Sequence, residues 1–175
     1  EEHMGKDTEG AKTYAWLLYD QENLYVGMEH EADPFKEGMA EKMKRHSPFF
    51  EIGIESQHGP HSRSWWIDDM VTGPVYVITG RYSGELVVQN LFGMPYKMVR
   101  KLKESIEYKV SIQDEKNQEW TSEIKIPFAD IGISPEEVDQ LAFSMGTYKK
   151  AGFFSWIATG STLWRVENAG FIKFA

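Results

Sequence analysis

Two stretches near the end of the chain alternate with a period of two residues, a pattern that suits an extended strand and no helix. In EWTSEIKIP, from Glu119 to Pro127, Trp120, Ser122, Ile124 and Ile126 share one face while Glu119, Thr121, Glu123 and Lys125 share the other. That is a half-buried strand. From Leu141 to Tyr148, Leu141, Phe143 and Met145 point one way and Ala142, Ser144, Gly146 and Tyr148 the other. Side chains this small leave one sheet face nearly bare, and a bare face can serve as a groove. Trp156 and Trp164 follow within reach. Flat aromatic rings beside a shallow polar groove suit the C–H face of a sugar ring.

The same kind of pattern recurs along the chain. Short runs rich in aromatic and β-branched residues predict strands near Thr13–Tyr19, Leu24–Glu29, Phe49–Ser56, Val75–Gly80, Glu85–Leu91, Ser105–Gln113, Gln118–Ile126, Leu141–Tyr148, Phe153–Ala158 and Gly170–Phe174. Three polar turns join neighbours as hairpins: Asp20–Asn23, Tyr82–Gly84 and Asp114–Asn117. With 175 residues, 41% of them hydrophobic, the chain supports one domain with a real core. The expectation is a single all-β domain over residues 1–175, an antiparallel β-sandwich of jelly-roll or immunoglobulin-like type. Helical signal is thin. Lys36–Arg45 allows a turn or two with Met39 and Met43 on one side, and Ser134-Pro-Glu-Glu137 carries an N-cap, a first-position proline and a capping-box glutamate.

Charge and composition exclude several functions. A formal net charge of -8 repels a phosphate backbone, and the one basic cluster, Lys97–Lys103, is short and reads as a solvated loop or edge, so no nucleic-acid partner is expected. With no cysteine, disulfides, thiolate zinc sites and a cysteine nucleophile are all ruled out. No apolar run reaches the length of a membrane span. The start, EEHMGKDTEG, has neither a basic segment nor an apolar one, and reads as a processed, trimmed or internal beginning.

Four segments together resemble family 9 carbohydrate-binding modules, relatives of the DOMON-like sandwiches. They are YAWLLYDQENLYVGME from Tyr14, FEIGIE from Phe50, WTSEIKIPF from Trp120, and the stretch from Leu141 to Phe174 ending in LWRVENAGFIKF. The resemblance implies a non-catalytic module that binds poly- or oligosaccharide, at chain ends, and that accompanies a fused or associated carbohydrate-active enzyme. It implies a secreted setting, extracellular or periplasmic, and structural calcium. Trp164 matches the family's late tryptophan, one side of an aromatic clamp around a terminal sugar, and Glu51 matches its hydroxyl-binding strand acid. Alternation independently sets Glu51 and Gly53 opposite Phe50, Ile52 and Ile54. The clamp's other tryptophan has no counterpart before that strand, where the sequence reads Arg45-His46-Ser47-Pro48; Trp65 or Trp66, in the loop after it, is the substitute on offer. Arg81 is the nearest match for the family's arginine. The family's opening strand is missing, which implies a trimmed chain or a strand supplied by another one.

The remaining candidates divide between structural and functional roles. Trp16 and Trp120 lie in strongly patterned strands and are expected in the core. Trp156 fits core and platform equally, and Tyr148 offers a ring edge and a hydroxyl or simply caps the sheet. Asp20, Glu22 and Asn23, with Asp33 and Asp68, supply hard oxygen donors in loops for calcium. His58 and His61 with Asp68 and Asp69 form a weaker metal constellation, better read as a solvated loop. Among 27 acidic residues, Glu51 could be paired with Glu123 or Asp69 for glycoside hydrolysis, yet no nucleophile elbow, metalloprotease helix or phosphate loop is present, and no catalysis is expected. Two other readings remain open. One is a haem-binding electron-transfer domain drawing on eight methionines and five histidines; the other is a scaffold domain that binds no sugar.

Overall fold

The computed structural model describes residues 12–31, 48–55, 75–89, 95–115, 119–149, 152–156 and 169–174. Among these residues ten strands form two antiparallel sheets. They are β1 (Thr13–Tyr19), β2 (Asn23–His30), β3 (Phe49–Glu55), β4 (Val75–Arg81), β5 (Leu86–Gln89), β6 (Glu107–Asp114), β7 (Glu119–Pro127), β8 (Gln140–Lys149), β9 (Gly152–Ser155) and β10 (Gly170–Lys173). One sheet runs β1-β2-β7-β6. The other runs β10-β8-β3-β4-β5, with β9 paired to β8. Hairpins keep β1–β2, β4–β5 and β6–β7 together, while the chain crosses between sheets after β2, β5 and β7. The expected all-β sandwich is therefore the observed architecture.

The central strands β2, β3, β7 and β8 bury the face that their alternation marks. Leu24, Val26 and Met28 of β2 and Trp120, Ile124 and Ile126 of β7 meet Phe50, Ile52 and Ile54 of β3, Tyr76 and Ile78 of β4, and Leu141 and Phe143 of β8. Aromatic rings tie the two layers at one place. Trp120 stacks on His30 with centroids 3.8 Å apart, Phe50 lies 6.4 Å from both, and Tyr82 meets Trp120 edge-on at 5.9 Å.

Turn chemistry fixes the hairpins. The Asp20 carboxylate accepts from the amides of Glu22 (2.8 Å) and Asn23 (2.7 Å) and from the Tyr25 hydroxyl (2.8 Å). These bonds, the Tyr25 hydroxyl's foremost, hold Asp20 below the usual carboxylate range. In the β4–β5 hairpin Gly84 adopts φ 85°, where a Cβ would be strained.

One helical expectation is corrected and another is met at its shorter limit. The basic stretch read as a loop or edge is helix α1 (Tyr96–Ser105). Its Val99 and Leu102 are buried at i, i+3 spacing, while Arg100, Lys101 and Lys103 point to solvent. Ser134–Glu137 closes only one turn, with Ser134 O accepting from the amides of Glu137 and Val138. The short helix of this region, α2 (Phe128–Ile131), starts straight after Pro127, and Gly132 at φ 69° ends it. Lys36–Arg45 lies outside the described residues. Among them, no helix is long and apolar enough to cross a membrane.

Candidate functional site

Strand alternation puts a defined set of side chains on the outer face of the six-stranded sheet. On β3 these are Phe49, Glu51, Gly53 and Glu55; on β8, Ala142, Ser144, Gly146 and Tyr148; on β4, Val75, Val77, Thr79 and Arg81. Register sorts them into rows. Glu51 stands between Gly146 and Thr79, Gly53 between Ser144 and Val77, and Phe49 between Tyr148 and Arg81. The small residues Gly53, Ser144 and Gly146 form a buried floor, and Phe49, Glu51, Tyr148, Arg81 and Gln89 stand half-buried around it.

Two groups of contacts organise that face. At one place, Gln89 Nε2 donates to Glu51 Oε2 at 3.1 Å and to Thr79 Oγ1 at 3.1 Å. Both amide protons are then used, which orients the Glu51 carboxylate from the side of β5. Beside it, the Phe49 and Tyr148 rings stack at 5.1 Å with planes 9° apart, and the Arg81 guanidinium carbon sits 5.8 Å from the Phe49 centroid. Arg81 Nε lies 3.1 Å from Glu85 Oε2 within the β4–β5 hairpin. A carboxylate, an amide, a hydroxyl and a guanidinium thus border a small-residue floor next to a stacked aromatic pair. Such an arrangement can exchange hydrogen bonds with a polyhydroxylated ligand while a ring face covers its apolar side.

The structure brings Glu51, Tyr148 and Arg81 onto this one face and leaves Trp156 off it. Trp156 N donates to Met145 O, so the residue follows the parity of Met145 and Phe143, the core-facing side of β8. Its ring meets Phe143 edge-on at 6.2 Å and lies over Gly170, where a Cβ would come within 2.7 Å of the ring. Half-exposed, Trp156 shields the sandwich edge from the opposite side of the sheet to Glu51. Trp164, Trp65 and Trp66 lie outside the described residues. Three contributors had not been singled out: Phe49, Thr79 and Gln89. Phe49 sits two residues before Glu51, and Gln89 is the sole polar residue of LVVQ, the legible signals for both.

Trp120 is 1% exposed, as its pattern predicts, but Trp16 is 55% exposed on the outer face of the four-stranded sheet, a correction to its expected core position. In TYAWLLY both faces are apolar, and the edge strand turns Ala15 and Leu17 inward.

The metal candidates Asp20, Glu22 and Asn23 belong to one tight turn in which the Asp20 oxygens already accept amide and hydroxyl protons. Among the described residues, no group of three or more histidine or acidic side chains is placed to hold an ion. These three residues do not make a calcium cage as they stand. Asp33, His58, His61, Asp68 and Asp69 lie outside the described residues. Glu51 and Glu123 occupy the outward faces of different sheets, on opposite sides of the sandwich, so they cannot flank one glycosidic bond. For the haem alternative, the described His30 is buried against Trp120 and Met28 is a core residue. A separate cleft of about 350 Å³ opens at one end of the sandwich between Tyr19, Asp20, Pro135, Val138, Asp139 and Phe174, away from the Glu51 face.

No protein-family model matches the chain, and no curated protein matches it. Solved structures with a similar fold do. Two are of a family 9 carbohydrate-binding module from Caldicellulosiruptor kristjanssonii. The complex with cellotriose has TM-score 0.62 and 11% identity, covering 95% of this chain and 76% of that one. The complex with glucose has TM-score 0.61 and 12% identity, covering 95% and 78%. A third is a candidate carbohydrate-binding protein from Bacteroides uniformis, with TM-score 0.60 and 10% identity over 95% and 80% of the two chains. At such identities the similarity is one of fold.

Proposed function

We propose that this chain is a non-catalytic carbohydrate-binding domain that holds a poly- or oligosaccharide, by its end, on the outer face of the six-stranded sheet. The observation that carries the reading is the convergence on that face of the Gln89-oriented Glu51 carboxylate and the Phe49–Tyr148 stack with Arg81. The fold supports it, since similar structures were solved with cellotriose and glucose. In this reading Glu51 accepts sugar hydroxyls, Arg81 donates to ring or hydroxyl oxygens, and aromatic rings cover the C–H face. Trp164, with Trp65 or Trp66, supplies the clamp that the sequence resemblance implies. The domain works outside the cytoplasm beside a carbohydrate-active enzyme, and calcium, if used, binds residues other than the Asp20 turn.

Titration with glucose, cellotriose and a panel of other mono- and oligosaccharides tests this through tryptophan fluorescence, with calcium present and after chelation. Saturable quenching by one sugar class is expected. Glu51→Gln keeps the shape and the Gln89 contact but loses the charge, and is expected to weaken binding about ten- to hundredfold, the worth of a charged hydrogen bond. Trp164→Ala should abolish binding at unchanged melting temperature. A flat response across the panel would refute the proposal and leave a scaffold role.

A further inference from the structure

The outer face of the other sheet carries a second set of exposed rings. Tyr14, Trp16 and Leu18 project outward from edge strand β1 and are 43%, 55% and 70% exposed. The Tyr14 and Trp16 rings lie side by side, with centroids 6.4 Å apart and planes tilted by 33°. Register extends each residue into a row across the sheet. Tyr14 leads to Glu29 and Thr121, Trp16 to Gly27 and Glu123, and Leu18 to Tyr25 and Lys125.

Gly27 makes the middle row unusual. Among the described residues a Cβ built there would meet no atom within 4 Å, so neither Trp16 nor Glu123 leans over it. The result is a notch one side chain wide. Trp16 forms one wall and Glu123 the other, about 10 Å apart by two strand spacings. Tyr25 and Glu29 close its ends, two residues before and after the glycine on the same strand face. Tyr25 is held in place by its hydroxyl, which donates to Asp20 Oδ2 at 2.8 Å.

Charge and area choose the occupant. The apolar stripe is one strand wide; Glu29 stands next to it on β2, with Glu123 and Lys125 one strand further on β7 and Lys109 beyond them on β6. A protein partner needs about 800 Å² per side with a charge-depleted centre, which this strip does not offer. An anionic partner meets two carboxylates and a chain of net charge -8. A neutral sugar fits both halves of the notch: a pyranose C–H face covers the Trp16 ring, and carboxylates, which only accept, take its hydroxyl protons. We propose that the Gly27 notch is a second carbohydrate site, in which a neutral pyranose stacks on Trp16 and donates hydroxyls to Glu123 and Glu29, and the next residue of the chain rests on Tyr14. The site stands independently of the Glu51 face and lies on the opposite side of the sandwich. With both occupied, one domain would bridge two glycan strands and bind an insoluble polysaccharide with the avidity of two linked contacts.

The nitrogen-15 labelled chain, titrated with cellotriose, xylotriose and mannotriose, provides the test. The Trp16 indole signal is assigned by its disappearance in Trp16→Phe. One trisaccharide should shift that signal saturably in the native chain and equally in Glu51→Gln. Gly27→Leu fills the notch with a side chain that suits a strand, so the shift should vanish while the melting temperature holds or rises. If none of the three sugars moves the Trp16 signal, or if it still moves in Gly27→Leu, the proposal fails. If Glu51→Gln abolishes the shift, the two faces are not separate sites and the proposal also fails. A shift that follows protein concentration without sugar would assign the stripe to a second copy of the chain instead.

Discussion

Replacing Gly80 with alanine should destabilise the protein although it adds a residue that a strand prefers to glycine. Phe50 and Gly80 are register partners on β3 and β4, and a Cβ at Gly80 would overlap the Phe50 ring and touch the Tyr108 ring at 3.0 Å. Phe50 cannot swing aside, because Tyr108 lies edge-on to it at 5.7 Å and Trp120 stacks at 6.4 Å. Removing the glycine's extra backbone freedom is worth roughly 0.5–1 kcal/mol in favour of alanine. Overpacking a filled core costs about 1–3 kcal/mol. Taking the middle of each range leaves a net loss of about 1 kcal/mol, which for a domain of this size lowers the melting temperature by about 2–4 °C. Thermal unfolding followed by circular dichroism measures it. In a Phe50→Leu background, where the ring is gone, the same change should be neutral or stabilising. An unchanged or higher melting temperature for Gly80→Ala in the native background would refute the packing argument. The contact matters to the candidate site because it pins the β3–β4 register. A slip of one residue would send Glu51 into the core.

Three further outcomes follow from single contacts. Tyr108 donates to Arg81 O at 2.8 Å, and burial pushes its phenol well above the ordinary range; Tyr108→Phe should cost about 1 kcal/mol in chemical denaturation while leaving the fold intact. Burial acts against the Asp130 charge, but bonds from Lys101 and Ser105, with the Lys101 charge, outweigh it and leave the carboxyl below its usual value. A carboxyl lowered on folding stabilises fully above its unfolded value and loses that contribution as pH falls through the folded one. Asp130→Asn should therefore melt lower than the native chain at neutral pH, with the gap narrowing below about pH 4 in a pH series of melting curves. Gly132 ends α2 at φ 69°, so Gly132→Ala should cost about 1 kcal/mol, seen as a melting temperature about 2–4 °C lower.

How far the sequence could be read depended on whether the signal was local. In β7, Trp120, Ile124 and Ile126 stand against Glu123 and Lys125, so the buried face was plain from nine residues. In β1 both faces are apolar, and alternation shows which residues share a face without saying which face turns inward. Trp16 was placed in the core for that reason. The lysines of helix α1 make its sequence look like a solvated loop; the i, i+3 pair Val99 and Leu102, with Pro95 ahead, is the signal that marks the helix. Glu51 was found from its parity and the family resemblance, but Gln89, from a strand 38 residues away, was not.

The sequence by itself marked most of the strands, three hairpin turns and, within each regular strand, which side chains share a face, because φ/ψ preference and two-residue alternation are properties of neighbouring residues. Only the tertiary structure decided which strands lie side by side. That choice set Glu51 next to Gln89 and Thr79, laid Trp156 over Gly170 on the far side of the same sheet, and separated Glu51 from Glu123 across the sandwich. It also left Trp16 outside on an edge strand whose two faces are both apolar, while Trp120, in a central strand, was buried. Sheet order and inter-sheet packing are set by the burial of the whole apolar surface at once, a sum that no short stretch of sequence contains.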